Sequence, residues 1–426
     1  MLSVLRNATY SRLFAAQVIA LLGTGLLTVG LGLLAYDLAG SNAGAVMGTA
    51  LLIKMLAYVG LSPVINALVS RLPKKTVLIT ADIVRALMAL LLPFITEIWQ
   101  VYVLIFLLQA ASATFTPAFQ SLIPQVLPDQ RQYTHALSLS RLAYDLEALV
   151  SPALAALLLT VVSYNNLFVG TVAGFLCSAA LVAVNRLPRR TADDGGEPGP
   201  LWHRTTLGMR IFWRTPRLRS LLALNLVVAA PTALILVNSV VYVRTVLGLT
   251  DADLALALGS FGAGSMAVAL AAPRALERLG DRTVMLSGAV LIPVVLAAVT
   301  ALSFAGTSDW TWPVLLGLWF LIGAANSAIL TPSARLLRDA ADDTTAPYVF
   351  TAQFSLSHAC YIVAYPLAGW LGAFAGLGPA ALALTVLAIL GAAGAFTSWP
   401  RSGSVPREDP ASKEQILEPS AGSTAP

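Results

Sequence analysis

Residues 185–206 read NRLPRRTADDGGEPGPLWHRTT. This stretch is dense in glycine, proline and charge, and six apolar stretches lie on each side of it, each long enough to cross a bilayer. Before it the spans run at 12–37, 43–68, 76–95, 99–121, 136–161 and 164–185. After it they run at 219–243, 251–273, 284–304, 311–333, 347–374 and 378–399. The pattern predicts an all-α membrane protein of two six-helix bundles, at 1–185 and 219–399, joined by a linker at 186–218. The polar, Pro-rich stretch 400–426 is expected to be a disordered tail.

Charge agrees with that division. Of 26 Lys and Arg residues, 23 fall in the gaps on one side, which predicts a multi-pass protein of the cell inner (plasma) membrane with both termini cytoplasmic. Arg244 alone lies on the other side, and Lys54 and Arg85 lie within spans. A composition 57% hydrophobic and 11% charged describes a chain whose main solvent is lipid. The formal charge of +5 sits on short loops, with no basic face interleaved with stacking aromatics, so nucleic acid is not an expected partner. The N-terminal apolar stretch is too long for a signal-peptide core and reads as a retained first span. Cys177 and Cys360 fall in mid-span, which excludes a disulfide framework. Within the linker, residues 201–219 alternate Trp202, Leu207, Ile211, Phe212 and Trp213 with Arg204, Arg210, Arg214, Arg217 and Arg219. That spacing predicts a basic amphipathic helix at the inner headgroup level.

A repeat runs at an offset of about 215 residues: Thr116 and Pro117 match Thr331 and Pro332, Tyr133 matches Tyr348, and Pro152 matches Pro366 one residue out of step. Further residues carry a resemblance: Leu5-Arg6-Asn7 with Phe14 and Gln17, Leu22-Gly23-Thr24-Gly25, Ala81-Asp82 with Arg85-Ala86-Leu87, Pro117-Ala118, Ile123-Pro124, and the stretch 208–221. With these the chain resembles the major facilitator superfamily, in the drug:proton antiporter branch that includes macrolide efflux pumps and the enterobactin exporter. The resemblance implies a pseudo-two-fold axis along the membrane normal, a transport site near the midplane between the halves, and alternating access. It also implies a gating loop between spans two and three. Arg71, Lys74 and Lys75 match that signature, whereas Asn66 stands for its glycine and Ser70 for its aspartate. The implication is a weakened cytoplasmic latch or one built elsewhere, and Arg278, Asp281 and Arg282 of the corresponding second-half loop are the expected substitutes. A plain topology determinant is the alternative for these bases.

Ionisable residues at membrane depth carry the sharper expectation, because a charge there must be paired or wetted. They are Lys54, Asp82, Arg85, Asp145, Glu147 and His358. Asp82 and Arg85, three apart, are expected to pair within one helix. Arg141 and Asp145 can pair at the mouth of span five, near Tyr144. Glu147 points about 200° away from Asp145, so one acid is expected to face the cavity with Lys54 as its counter-cation. A static Lys54–Glu147 bridge is the structural alternative. His358 falls at the repeat position of Tyr144, where it can bind substrate, sense pH or pack against a backbone carbonyl. Gln17, Thr24, Gln109, Asn225, Asn238, Asn326 and Gln353 are polar candidates for the cavity, most of them expected to act as interhelical bonds.

The expected function is proton-coupled efflux of a small amphipathic drug or metabolite, with protons, substrate and membrane lipids as partners, a monomer sufficing, and no cofactor, metal or enzymatic activity. Siderophore or nickel-type metal export is the alternative. A lipid-handling protein or membrane enzyme is the reading from a different class. No phosphate-cradling GxxxxGK[ST] stretch is present, which excludes the Walker-type nucleotide site.

Overall fold

The computed structural model describes residues 2–61, 72–185, 201–340 and 346–399. Asn66, Ser70 and Arg71 of the first gating loop, residues 186–200 of the linker and the tail from residue 400 lie outside the described residues. The first six spans are α1 (Ala8–Ala39), α2 (Ala43–Leu56), α3 (Lys74–Leu91), α4 (Ile98–Val126), α5 (Gln130–Leu159) and α6 (Asn165–Val184). A linker helix, α7 (Leu201–Arg214), precedes α8 (Pro216–Val240), α9 (Asp251–Phe304), α10 (Thr311–Asp339), α11 (Ala346–Pro366) and α12 (Leu377–Ser398). No strand occurs among the described residues.

Among the described residues nine stretches have the length and hydropathy of a membrane span, one of which, Ala8–Val59, contains two helices separated at Gly40. With α5 and α11 this makes twelve. Spans eight and nine form one continuous element, α9, broken only where Gly280 takes φ 73° and ψ 161°. The helices are apolar on most of their circumference, as expected where lipid lies on one side and other apolar helices on the other. Their ends are set by polar caps: Asn7 Oδ1 accepts from the Thr9 and Tyr10 amides, Asp129 from Gln132, and Thr250 and Asp253 form a reciprocal capping box. The linker helix stops at Arg214, short of the expected residue 219, because Thr215 precedes Pro216 and takes an extended conformation (φ −92°, ψ 112°). Pro216 then opens α8 at a position where its missing N–H costs nothing.

The halves meet along α2 against α11 and α5 against α9. Near the Gly40 turn, opposite the chain termini, α2 and α11 cross with almost no side chain between them. A Cβ on Gly48 would meet the Tyr365 carbonyl at 2.8 Å and Gly369 Cα at 2.9 Å. Trp370 Nε1 donates to Thr49 Oγ1 (3.0 Å), and the Arg244 guanidinium lies 5.4 Å from the centre of the Tyr36 ring. These contacts close that far end. At the terminal end, the polar ties of Lys75, Asn185 and Arg335 join elements within a half. Lys75 Nζ donates to the carbonyls of Ala183 and Asn185, and Asn185 Nδ2 donates to Thr9 O. Arg335 pairs with Asp281 at 3.1 Å, so this acid of the second gating loop stays within the second half.

Gly48→Leu is expected to prise the α2–α11 crossing apart without unfolding the chain. In a background with Cys177 and Cys360 replaced by Ser, a bismaleimide should bridge Thr49→Cys to Trp370→Cys readily. The same bridge should fail once Gly48→Leu is added; an unchanged yield would mean that α2 and α11 do not depend on this close approach.

Candidate substrate and proton site

Below the glycine crossing the two helices separate and ionisable and aromatic groups occupy the space. A π-turn, Ala57–Leu61, continues α2 and carries Tyr58. Such widened turns locally re-aim side chains and are frequent at functional sites. From the other half, α11 presents Phe354 and His358. The Tyr58 ring meets His358 edge-on at 5.5 Å and Phe354 at 6.1 Å, and Phe354 and His358 lie 4.2 Å apart. His358 Nδ1 is 2.7 Å from the Phe354 carbonyl. An acceptor at that distance fixes the proton on Nδ1 and leaves Nε2 as the nitrogen able to accept.

Lys54 lies one turn before Tyr58, with Nζ 5.9 Å from the centre of that ring. Its charge acts on Glu147 of α5 and on His358 of α11. Among the described residues, however, Lys54 and Glu147 do not form a contact ion pair. Lys54, Glu147 and His358 are each half-buried, so all three retain some access to water. The α5 helix fits against α1 at Ser151, one turn from Glu147, because residue 25 is glycine. A Cβ there would collide with Ser151 Cβ (2.1 Å) and reach within 3.3 Å of Glu147 Oε1. Tyr58, Phe354 and Ser151 were not singled out by the sequence, and Gly25 only as part of the resemblance in span one. Only the helical spacing of Lys54 to Tyr58 and of Phe354 to His358 would have suggested the aromatic pair.

The remaining candidates sort by location. Asp82 and Arg85 pair within α3, both buried, and the guanidinium is sandwiched between Phe115 of α4 (4.3 Å) and Phe175 of α6 (4.5 Å). Arg85 also interacts electrostatically with Tyr58 and Tyr144, which extends the field of this pair to the Tyr58 ring. The side chains of Arg141 and Asp145 lie outside the described residues. Gln17 accepts from Ser140 (3.0 Å), and Asn225 and Gln353 exchange amide hydrogen bonds of 3.1 and 3.2 Å. Asn238 donates to Ala368 O, Asn326 to Thr232 Oγ1, and Thr24 to Ala20 O in its own helix. Gln109 is buried. Gln17, Asn225, Asn238, Asn326 and Gln353 thus tie helices together. Of the second gating loop, Arg278 is exposed and Arg282 half-buried.

A second polar group lies at the closed far end. Tyr164 donates to Asp37 Oδ2 (2.5 Å), and Arg244 pairs with Asp251 (3.0 Å) beside Tyr36. Burial, and then the Asp37 and Asp251 carboxylates, push the Tyr164 hydroxyl well above the ordinary phenol range, which keeps it protonated and donating. Asp37 and Tyr164 belong to the first half and Arg244 and Asp251 to the second.

Twelve spans in two bundles, with ionisable groups between them and one end shut, define a membrane transporter. The chain belongs to the Major Facilitator Superfamily, whose model matches residues 13–311 and 221–424. Macrolide efflux protein A of Streptococcus pyogenes is 28% identical over 182 residues, 42% of this chain and 44% of that protein. The protein of the same name in Enterococcus faecalis is 29% identical over 153 residues, 34% of this chain and 47% of that protein. The chain therefore matches less than half the length of these relatives. Among solved structures, the nucleoside transporter NupG superposes with TM-score 0.70 at 12% identity, over 92% of this chain and 100% of that one. A bacterial homolog of the human lysosomal transporter Spinster, inward-facing and occupied, gives 0.69 at 13% identity over 92% and 96%. At such identities the likeness concerns fold alone.

Arg85→Met is expected to destabilise the protein by about 3 kcal/mol, because it strands the Asp82 carboxylate in a dry site. Adding Asp82→Asn should recover a large part of that loss. Thermal unfolding in detergent checks both, and a double variant no more stable than Arg85→Met would mean that the pair contributes packing alone.

Proposed function

We propose that the protein is a proton-coupled exporter of a small amphipathic compound, a drug or metabolite, working by alternating access as a monomer. The observation that carries this reading is Glu147, a half-buried carboxylate beside α1, in the field of Lys54 yet free of a contact ion pair with it. A proton, a cationic group of the substrate and Lys54 compete for that one carboxylate. A charged and isolated acid is the state the apolar surroundings penalise most, so each half-turn of the cycle must hand Glu147 from one partner to another. The macrolide efflux proteins among the relatives support efflux as the direction.

The cycle needs no nucleotide. A proton moving down about 150 mV gains about 3.5 kcal/mol, enough for a gradient of about a few hundred-fold in a neutral substrate exchanged one for one; a singly cationic substrate exchanged one for one moves no net charge, and the pH difference alone then drives it. In this reading the protein resides in the cell inner membrane with the termini, linker and basic loops in the cytoplasm, and the closed far end faces outward. Asp145 remains a second candidate acid, with Arg141 as its partner. The metal-export reading would need several ligands to converge, and among the described residues no group of three or more His, Cys, Asp or Glu does so.

Glu147→Gln is expected to abolish protonophore-sensitive ethidium extrusion from cells while membrane insertion stays intact. Lys54→Ala should shift the pH optimum of extrusion, because the proton then no longer competes with a fixed cation. Wild-type rates and an unshifted profile in both variants would refute the carboxylate mechanism.

A further inference from the structure

The linker helix has two unlike sides. Phe212 is buried in the apolar core together with Leu218 and Leu221, and Ile211 packs on the same cluster. Arg210, Arg214, Arg217 and Arg219 are exposed around the turn from α7 into α8, with Trp213 exposed among them at 60%. Among the described residues none of these four guanidiniums meets a carboxylate. The sequence offers no local one either, since no Asp or Glu occurs from residue 198 to residue 250. Pro216 opens a membrane span immediately beyond Trp213, which puts the basic cluster at the depth of lipid headgroups and the indole where such rings anchor.

We infer that this surface is a docking site for anionic lipid headgroups of the adjoining leaflet, phosphatidylglycerol in kind, and that the bound lipid holds α7 against α11. The first part follows from charge complementarity: four planar donors, with no carboxylate partner among the described residues, face the one abundant anion at that depth, a lipid phosphate, and suit its bidentate recognition. The second part follows from connectivity, because α7 packs on α11 and α11 carries the Phe354 and His358 rings that meet Tyr58. A lipid that fixes α7 thereby restrains the helix on which the other half closes. The inference does not depend on which compound is carried.

The test uses the full chain in nanodiscs of phosphatidylcholine alone or with phosphatidylglycerol. Native mass spectrometry should find phosphatidylglycerol retained by the wild type, with affinity lowered about tenfold or more when Arg210, Arg214, Arg217 and Arg219 are all changed to Gln. The control, Arg274→Gln with Arg278→Gln, alters basic residues elsewhere in the chain and should retain the lipid. In the same discs, hydrogen exchange over residues 346–358 should slow with phosphatidylglycerol in the wild type and in the control, and not in the fourfold variant. Equal lipid retention by the fourfold variant and the control would overturn the docking site and leave the arginines as topology signals. Retention without any change in exchange would overturn the link to α11.

Discussion

Lys54 and Glu147 are ionisable groups of opposite sign on two helices of the same half, each acting on the other without a contact ion pair. Burying a charge in an apolar bundle is costly, and the cost falls only when a partner or water is at hand. Much of the local architecture serves that demand. Gly25 leaves room on α1 for Ser151 and Glu147, the π-turn aims Tyr58 alongside Lys54, and α11 covers the group with two rings. In contrast, Asp82 and Arg85 meet the same demand by closing on each other between two phenylalanine rings. One charge pair is sealed into a half, and the other is left open.

Opening and closing require that the contact between halves be tight but not permanent. At the far end it consists of backbone against backbone at Gly48 and Gly369, one indole hydrogen bond, and a guanidinium over a ring. Such a contact depends on close approach and comes apart without leaving a buried charge behind. The side-chain amide bonds, Asn225 with Gln353 and Asn326 with Thr232, lie inside the second half and keep it a rigid unit. Polar interactions therefore stiffen the moving parts, while small residues form the surface on which they meet.

The spans were readable because twenty apolar residues admit few other structures, and the ionisable residues within them stood out against that background. The helix ends and the geometry of the site were less so. The single element from Asp251 to Phe304 hides two spans because only Gly280 leaves helical geometry. Asn238 and Gln353 were open between the cavity and an interhelical bond, since composition cannot say whether a polar group faces a void or a neighbouring helix; both tie helices. Asp281 looked like a latch between halves, yet its partner, Arg335, is distant in sequence and in the same half. Tyr58 and Phe354 gave no signal because a ring in a span is ordinary until the opposing helix is in place. The polar group at the far end had one clue, Arg244, the single basic residue on that side; it pairs with Asp251, and the neighbouring Tyr164–Asp37 bond joins two further segments.

If occupancy of Glu147 governs which end is open, the distance between α2 and α11 at the far end must respond to its protonation. Spin labels at Thr49→Cys and Trp370→Cys, read by pulsed dipolar spectroscopy across a pH series in lipid, measure that distance. The wild type should pass between a short and a long population as pH changes, and Glu147→Gln should hold one population throughout. The same pH response in both proteins would contradict Glu147 as the coupling site.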